Sequence, residues 1–272
     1  MANSRLLTSE FSKFWKSYHM AKSVLLISDY DGTLAPFTQN RMDAKLPKKL
    51  RMIIEDILAI NSINFVIVSG RPAIEVAKLY GISEAPDIWG SHGWEYLPRN
   101  GAYRRWQIDA NARAGFEAAQ EAAEKNSLIQ YCEIKIGALA MHWRDRDATI
   151  KRKIRELIAN EFMKISKKFG LAVRKFNGGV ELLARGRNKG DAVKETIEKA
   201  PSTSLPIYLG DDTTDEDAFR IIARAGGFGV LVGDEIDSTH AQLKLESYNE
   251  VIEFLAICSM MKGGVPWRTR AG

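Results

Sequence analysis

The strongest constraint on this chain is a recurring unit: a short apolar run, a polar cluster at its end, then a stretch with helical spacing. Ser23-Val24-Leu25-Leu26-Ile27-Ser28 runs straight into Asp29. Runs of this length bounded by turn residues suit a strand buried on both faces of a parallel sheet. Over residues 46–60 the apolar positions (Leu50, Ile53, Ile54, Ile57, Leu58) recur at helical spacing, with Pro47 at the start. Asn64-Phe65-Val66-Ile67-Val68 is a second buried run, stopped by Ser69-Gly70-Arg71-Pro72, and a helix follows through Ile74, Val76, Ala77 and Leu79. Strand, helix, strand, helix predicts an α/β fold with a parallel sheet and right-handed crossovers.

After Ser91-His92-Gly93-Trp94-Glu95 the rhythm changes. An Ala- and Glu-rich helix over about 109–126 precedes a strand at 134–144, a charged helix at 148–169 and a strand at Ala172–Phe176. Asn177-Gly178-Gly179 then turns the chain into a strand at 180–183. This is helix and antiparallel hairpin material. It predicts an inserted α+β cap domain over 98–180, with 1–97 and 181–272 forming the core. The parallel rhythm resumes with a helix at Lys189–Lys199 and a strand at 205–209 ending in Gly210-Asp211-Asp212. A helix at 215–225, a strand at Phe228–Val232 and a last helix at Tyr248–Met261 complete it.

A length of 272 residues, 45% hydrophobic, is ample for a stable core without staples. Two cysteines far apart, Cys132 and Cys258, argue against a disulfide framework and for a reducing cytoplasm. The first twenty residues lack a secretory signal pattern, and no stretch approaches the roughly 18 apolar residues of a membrane span. Net charge is +5, with 39 Lys and Arg spread among 34 acids. Stretches such as Lys151-Arg152-Lys153 read as solvated helix faces that can also steer an anionic small molecule, and no nucleic-acid motif is present. A cytoplasmic monomer without nucleic-acid or membrane partners is expected.

Open α/β sheets place ligands at the carboxyl ends of their strands. Three such ends carry polar clusters: Asp29-Tyr30-Asp31-Gly32-Thr33, Ser69-Gly70-Arg71 and Gly210-Asp211-Asp212. Singly, each has an ordinary reading as a turn, a Ser-capped helix start, or acids at a helix N-terminus. Together, in this order, they suit one mechanism. The carboxylates of Asp29, Asp31 and Asp211 at one edge repel unless a cation sits between them, and such an oxygen set is what Mg²⁺ prefers. One carboxylate can attack phosphorus, and a second, two residues on, can protonate the leaving alcohol and later activate water. Gly32 leaves room for backbone N–H groups to approach phosphate, while Ser69 and Lys189 supply a neutral donor and a positive charge. The expected class is a Mg²⁺-dependent phosphatase of a small phosphorylated metabolite.

These residues resemble the four motifs of the haloacid dehalogenase superfamily of phosphotransferases: Asp29-Tyr30-Asp31-Gly32-Thr33, Ser69, Lys189 and Asp211-Asp212. The resemblance implies a Rossmann-like core with a cap inserted between the second and third motifs. It implies Asp29 as nucleophile, Asp31 as general acid/base, and Ser69 and Lys189 on phosphate. Mg²⁺ would be held by Asp29, the Asp31 main-chain carbonyl and Asp211, with Asp212 and then Asp215 behind them.

Within that superfamily the chain is similar to the trehalose-6-phosphate phosphatases. The likeness lies in Asp29 to Pro36, Val68-Ser69-Gly70-Arg71, Gly90-Ser91-His92-Gly93, Asn188-Lys189-Gly190 and the segment Gly210 to Phe219. In the insert, Glu133-Ile134-Lys135 and His142-Trp143-Arg144 resemble that family's sugar-contacting stretches. The likeness implies that Gly32, Thr33, Gly70, Arg71 and His92 meet the substrate. Glu133, Lys135, His142, Arg144 and Glu181 would contact its sugar, with Glu133 and Lys135 sharing a strand face. The reaction implied is hydrolysis of trehalose 6-phosphate through an aspartyl-phosphate. Two positions depart from the pattern. Glu181 is followed by Leu182-Leu183-Ala184 where the family usually reads Glu-x-Arg-Pro, and Asn177-Gly178-Gly179 stands where a lysine often faces the sugar. The alternatives are a phosphatase of the sucrose-phosphate or mannosyl-phosphoglycerate type and a non-catalytic sugar-phosphate-binding domain.

Overall fold

The computed structural model describes residues 5–38, 40–81, 85–144, 146–176, 178–233 and 238–264. The chain enters through α1 (Ser9–Met20), β1 (Ser23–Ser28), α2 (Lys48–Leu58), β2 (Ile63–Val68) and α3 (Ala73–Tyr80). Short strands β3 (Asp87–Gly90), β4 (Glu95–Leu97) and β5 (Arg104–Arg105) follow. Then come α4 (Ala110–Lys125), the hairpin β6 (Cys132–Lys135) and β7 (Ala138–His142), α5 (Ala148–Leu157), α6 (Met163–Phe169), β8 (Ala172–Phe176) and β9 (Gly179–Leu183). The chain closes with α7 (Lys189–Lys199), β10 (Ser204–Gly210), α8 (Glu216–Arg224), β11 (Phe228–Val232), β12 (Leu243–Leu245) and α9 (Tyr248–Met261).

Twelve described strands form two sheets. The first has the order β12-β11-β10-β1-β2-β3-β4-β5, parallel except that β4 runs antiparallel to both its neighbours, β3 and β5. Its centre is β1, whose successive apolar residues feed opposite cores. Val24 and Leu26 pack with Phe11 and Phe14 of α1, Ile53 and Ile54 of α2, and Phe254 and Cys258 of α9. Leu25 and Ile27 pack with Val193 of α7 and Phe219 and Ile222 of α8. A strand with an unbroken apolar run at its centre is what helices on both faces demand.

The second sheet is antiparallel, order β6-β7-β9-β8, and α4 to α6 cover one face of it. Leu139, Met141 and Leu182 point to those helices. The opposite face carries Glu133, Lys135 and His142 on two strands, in register with Gly179 and Glu181 on a third. One face apolar and one polar is the usual alternation of an antiparallel sheet.

Several details differ from the sequence reading. The single strand expected at 134–144 is a hairpin, because Gly137 turns the chain at φ +74 and lets the Trp94 ring sit where a Cβ would lie 2.3 Å from its Nε1. The helix expected at 148–169 carries a π turn at Ile158–Phe162. The boundary expected at 180 falls inside β9, which pairs with β7 and β8, so Glu181 belongs to the second sheet. The boundary at 98 falls before β5, which still pairs with β4 of the first sheet. Asn177 lies outside the described residues. The two crossings between sheets touch: the Arg187 guanidinium stacks 3.9 Å from the Trp106 ring and its Nε donates to the Gly93 carbonyl at 2.7 Å. Among the described residues no helix is long and apolar enough to cross a membrane.

Candidate active site

Because β10, β1 and β2 are adjacent and parallel, the residues that follow them emerge side by side. The ladder continues one residue past each strand. Asp29 N–H donates to the Leu209 carbonyl and Ser69 N–H to the Trp89 carbonyl, both at 2.8 Å, so Asp29 leaves the sheet in a fixed direction. Asp29, Asp211 and Asp215 then offer carboxylate oxygens that all lie within 4.8 Å of one another, and all three are buried. One cation sits among them. Lys189 Nζ, at the start of α7, is 3.0 Å from Asp29 Oδ1 and 2.7 Å from Asp215 Oδ1.

Three carboxylates against one ammonium leave this cluster short of positive charge. Burial pushes the Asp29 carboxyl up to about 7; Lys189 opposes the rise, while Asp215 and Asp31 add to it. Burial, then Asp29 and Asp215, raise Asp211 well above the usual carboxylate range. Asp215 is already saturated. Its Oδ1 accepts from Lys189 and from the Tyr208 hydroxyl at 2.5 Å, and its Oδ2 accepts from the N–H groups of Asp211 and Asp212 at 3.1 and 3.0 Å. That leaves Asp29 and Asp211 with oxygens to share. An all-oxygen pair short of positive charge fits a small hard divalent cation.

A cleft of about 690 Å³ opens between the two sheets, with Asp29, Asp31, Lys189, Asp211 and Asp212 at the core end. Gly70, Arg71 and His92 line its wall, and Glu133, Lys135, His142, Arg144 and Glu181 line the far side. Three expected contacts stand elsewhere. The Gly32 N–H is spent on the Ala35 carbonyl at 2.8 Å. Its φ of +78 brings the backbone so close to Asp211 that a Cβ would lie 2.0 Å from Oδ2. Thr33 Oγ1 donates to Asp211 Oδ1 at 3.2 Å, so both residues brace Asp211 and lie outside the cleft lining. Ser69 is fully buried and accepts the Arg71 N–H at 3.1 Å. Asp212, expected behind the metal ligands, accepts from Thr213 Oγ1 at 2.8 Å and stands outside the carboxylate triad, which Asp215 completes.

Asp31 faces the cleft in the grip of Arg71, whose Nε and Nη2 meet its two oxygens at 2.6 and 2.7 Å. The turn that carries His92 is wound into the left-handed region, with φ 48 at Ser91 and 56 at His92. Such backbone costs about 1–3 kcal/mol per residue and persists only when its surroundings enforce it. Here Ser91 Oγ donates to Glu95 at 2.6 Å, and the N–H groups of Ser91 and His92 bond the carbonyls of Arg71 and Ser69. The result delivers His92 Nε2 to 3.1 Å from Glu181 Oε2.

On the second sheet, small residues, Ala138, Ala140 and Gly179, stand in register beside the longer polar side chains. Lys135 Nζ bonds Glu181 at 2.8 Å, and His142 Nε2 lies 2.9 Å from Glu133 Oε2. Against the penalty of burial, His142, Lys135 and Arg41 hold the Glu133 carboxyl down to about 2. Lys135 and His92 likewise outweigh burial and keep Glu181 well below its ordinary value. Phe37 and Arg41 are among the cleft residues that escaped the sequence reading. Phe37 stacks 4.2 Å from the Arg144 guanidinium, and Arg41 pairs with Glu133 across the cleft. Both lie in an irregular stretch without periodicity, where no pattern marks them.

The trehalose-phosphatase sequence profile matches residues 27–249. The chain is 27% identical over 255 residues to probable trehalose-phosphate phosphatase C of Arabidopsis thaliana, spanning 86% of this chain and 76% of that one. It is 26% identical over 253 residues to α,α-trehalose-phosphate synthase [UDP-forming] B of Dictyostelium discoideum, covering 91% of this chain but 32% of that protein. It thus spans about three quarters of the first relative and about a third of the second. The solved C-terminal domain of Candida albicans trehalose-6-phosphate phosphatase shares the fold with a TM-score of 0.76 at 23% identity, covering 90% of this chain and 94% of that one. The parallel core, the second sheet and the profile match over most of the sequence agree, and the chain belongs to the trehalose-phosphatase family.

Proposed function

We propose that the chain hydrolyses trehalose 6-phosphate to trehalose and phosphate. The observation that carries this is one cleft with two chemically different ends: buried carboxylates beside Lys189 at one, and the polar side chains of Glu133, Lys135, His142 and Glu181 at the other. Mg²⁺ held by Asp29 and Asp211 would neutralise phosphoryl charge during transfer. An Asp29 oxygen attacks phosphorus as the bond to the sugar oxygen breaks, giving an aspartyl-phosphate. Asp31 gives a proton to the departing sugar oxygen and then takes one from the water that cleaves the aspartyl-phosphate. Each Asp31 oxygen keeps a lone pair for that proton while Arg71 fixes the carboxylate plane. Lys189 opposes the rise that burial imposes on the Asp29 carboxyl and so favours its ionised, nucleophilic form.

In this scheme residues 106–184 act as the cap, and the carboxylates and ammonium of its polar face bind sugar hydroxyls. Wall residues Gly70, Arg71 and His92 meet the substrate between the two ends. One chain holds the complete cleft, so a monomer suffices, and the free cysteines Cys132 and Cys258 suit a reducing cytoplasm. The test is phosphate release from a panel of sugar phosphates with Mg²⁺. Trehalose 6-phosphate should be preferred over sucrose phosphate and mannosyl-phosphoglycerate, and Asp29→Asn should release none while melting like the wild type. Preference for another sugar, or release by Asp29→Asn, overturns the assignment.

A further inference from the structure

An unbroken chain of charged side chains links Asp31 to the far wall of the cleft. Beyond its two bonds to Asp31, Arg71 uses Nη1 to donate to Glu75 Oε1 at 2.6 Å and to the Arg41 carbonyl at 2.8 Å. Glu75 accepts in turn from Arg41 Nε at 3.2 Å and Nη2 at 2.5 Å. The remaining nitrogen, Arg41 Nη1, reaches Glu133 Oε1 on β6, whose other oxygen faces His142. The Arg41 guanidinium is thus divided between the two sheets, two nitrogens on the core and one on the sugar-facing strand.

We propose that Arg41 is a positioning residue for the sugar half of the substrate, tying Glu133 to the core so that a sugar held by Glu133 and His142 sits in register with Asp29 and Asp31. The proposal rests on the reading of this cleft as a sugar-phosphate site. Half-exposed ion pairs add little to stability, so the bridge matters mainly through the geometry it imposes. Lysine cannot replace it, because a single ammonium lacks the planar fork that meets Glu75 with two nitrogens and Glu133 with a third. The cleft keeps its volume of about 690 Å³ with the bridge formed, within the range of small-molecule sites, so bridge and ligand fit together.

The test compares the wild type with Arg41→Ala, Arg41→Lys, Glu133→Gln and the Arg41→Ala/Glu133→Gln double variant. The substrates are trehalose 6-phosphate and p-nitrophenyl phosphate, which has no sugar. For Arg41→Ala, KM for the sugar phosphate should rise roughly tenfold, while kcat/KM for the small ester changes by less than about threefold. Arg41→Lys should recover less than about half of the loss, and the double variant should be no worse than Glu133→Gln alone. Hydrogen exchange, read without substrate, should quicken in β6 and β7 of Arg41→Ala and stay unchanged in β1 and β10. Equal losses on both esters, additive effects in the double variant, or unaltered exchange in β6 overturn the proposal. If the wild type hydrolyses neither ester, the functional assignment falls, and the exchange result still decides whether Arg41 ties the sheets together.

Discussion

Replacing Asp215 by Asn should destabilise the protein by about 3–4 kcal/mol, although the change is nearly isosteric. Asp215 is fully excluded from solvent and accepts four hydrogen bonds: Lys189, Tyr208 and two backbone N–H groups. An amide has one acceptor oxygen. Whichever way it turns, its NH₂ faces two donors, and each buried donor left unpaired costs about 1–3 kcal/mol. Removing one partner of a buried ion pair costs about 3–5 kcal/mol, reduced here because Lys189 keeps Asp29 and because one acid leaves a crowded cluster. For a chain of this size about 3–4 kcal/mol lowers Tm by roughly 6–16 °C. The assay is thermal unfolding by circular dichroism in EDTA, so that metal occupancy does not contribute. Asp212→Asn serves as the control. Its side chain is partly exposed and bonded to Thr213, and its loss should stay below about 1 kcal/mol. If Asp215→Asn melts within 2 °C of the wild type, or no lower than Asp212→Asn, the organising role argued for Asp215 is wrong.

Three further outcomes are expected. Gly32→Ala forces a side chain onto φ +78 and into the Asp211 carboxylate; it should cost about 1–3 kcal/mol and weaken Mg²⁺ binding in a calorimetric titration, and unchanged metal affinity would contradict the close approach. Asp29 titrates near 7 in the folded chain against an ordinary 3.8. The stability linked to its bound proton is therefore complete below about pH 4 and lost as pH rises through 7; Tm in EDTA should fall across that window, and Mg²⁺ should flatten the slope. Glu181→Gln removes the charge that Lys135 meets at 2.8 Å and should cost about 3–5 kcal/mol. A Glu181→Gln/Lys135→Met pair should recover much of that loss in chemical denaturation, and equal losses would show that the ion pair is not the cause.

The parallel core was legible because its central strands are largely apolar runs and β1, β2 and β10 end in polar clusters; β1, α7, β11 and α9 have the bounds read from periodicity alone. The three-residue strands β4 and β12 are too short to carry a period, and the β6–β7 hairpin hid because its turn rests on one glycine. At the site, order along the chain was enough to bring Asp29, Lys189 and Asp211 together. It could not say what each oxygen does. That Gly32 spends its N–H on Ala35, that Ser69 turns its hydroxyl to Arg71, and that Asp215 outranks Asp212 are consequences of hydrogen-bond saturation, which only packing reveals. Arg41 escaped for the same reason: its partners lie 34 and 92 positions away.

The stacking of Arg187 on Trp106 has an evolutionary corollary. The excursion leaves and rejoins the parent fold at a single spot, so the parent needs to close only a short gap, whatever hangs from it. Loop-closure entropy grows slowly with length, by about 0.6 kcal/mol per doubling, so an attachment of this kind can be enlarged, trimmed or exchanged with little penalty. If the proposed function holds, a lineage can therefore retune what it recognises by rewriting the appended module, while the carboxylates assigned to the chemistry stay where the parallel strands put them.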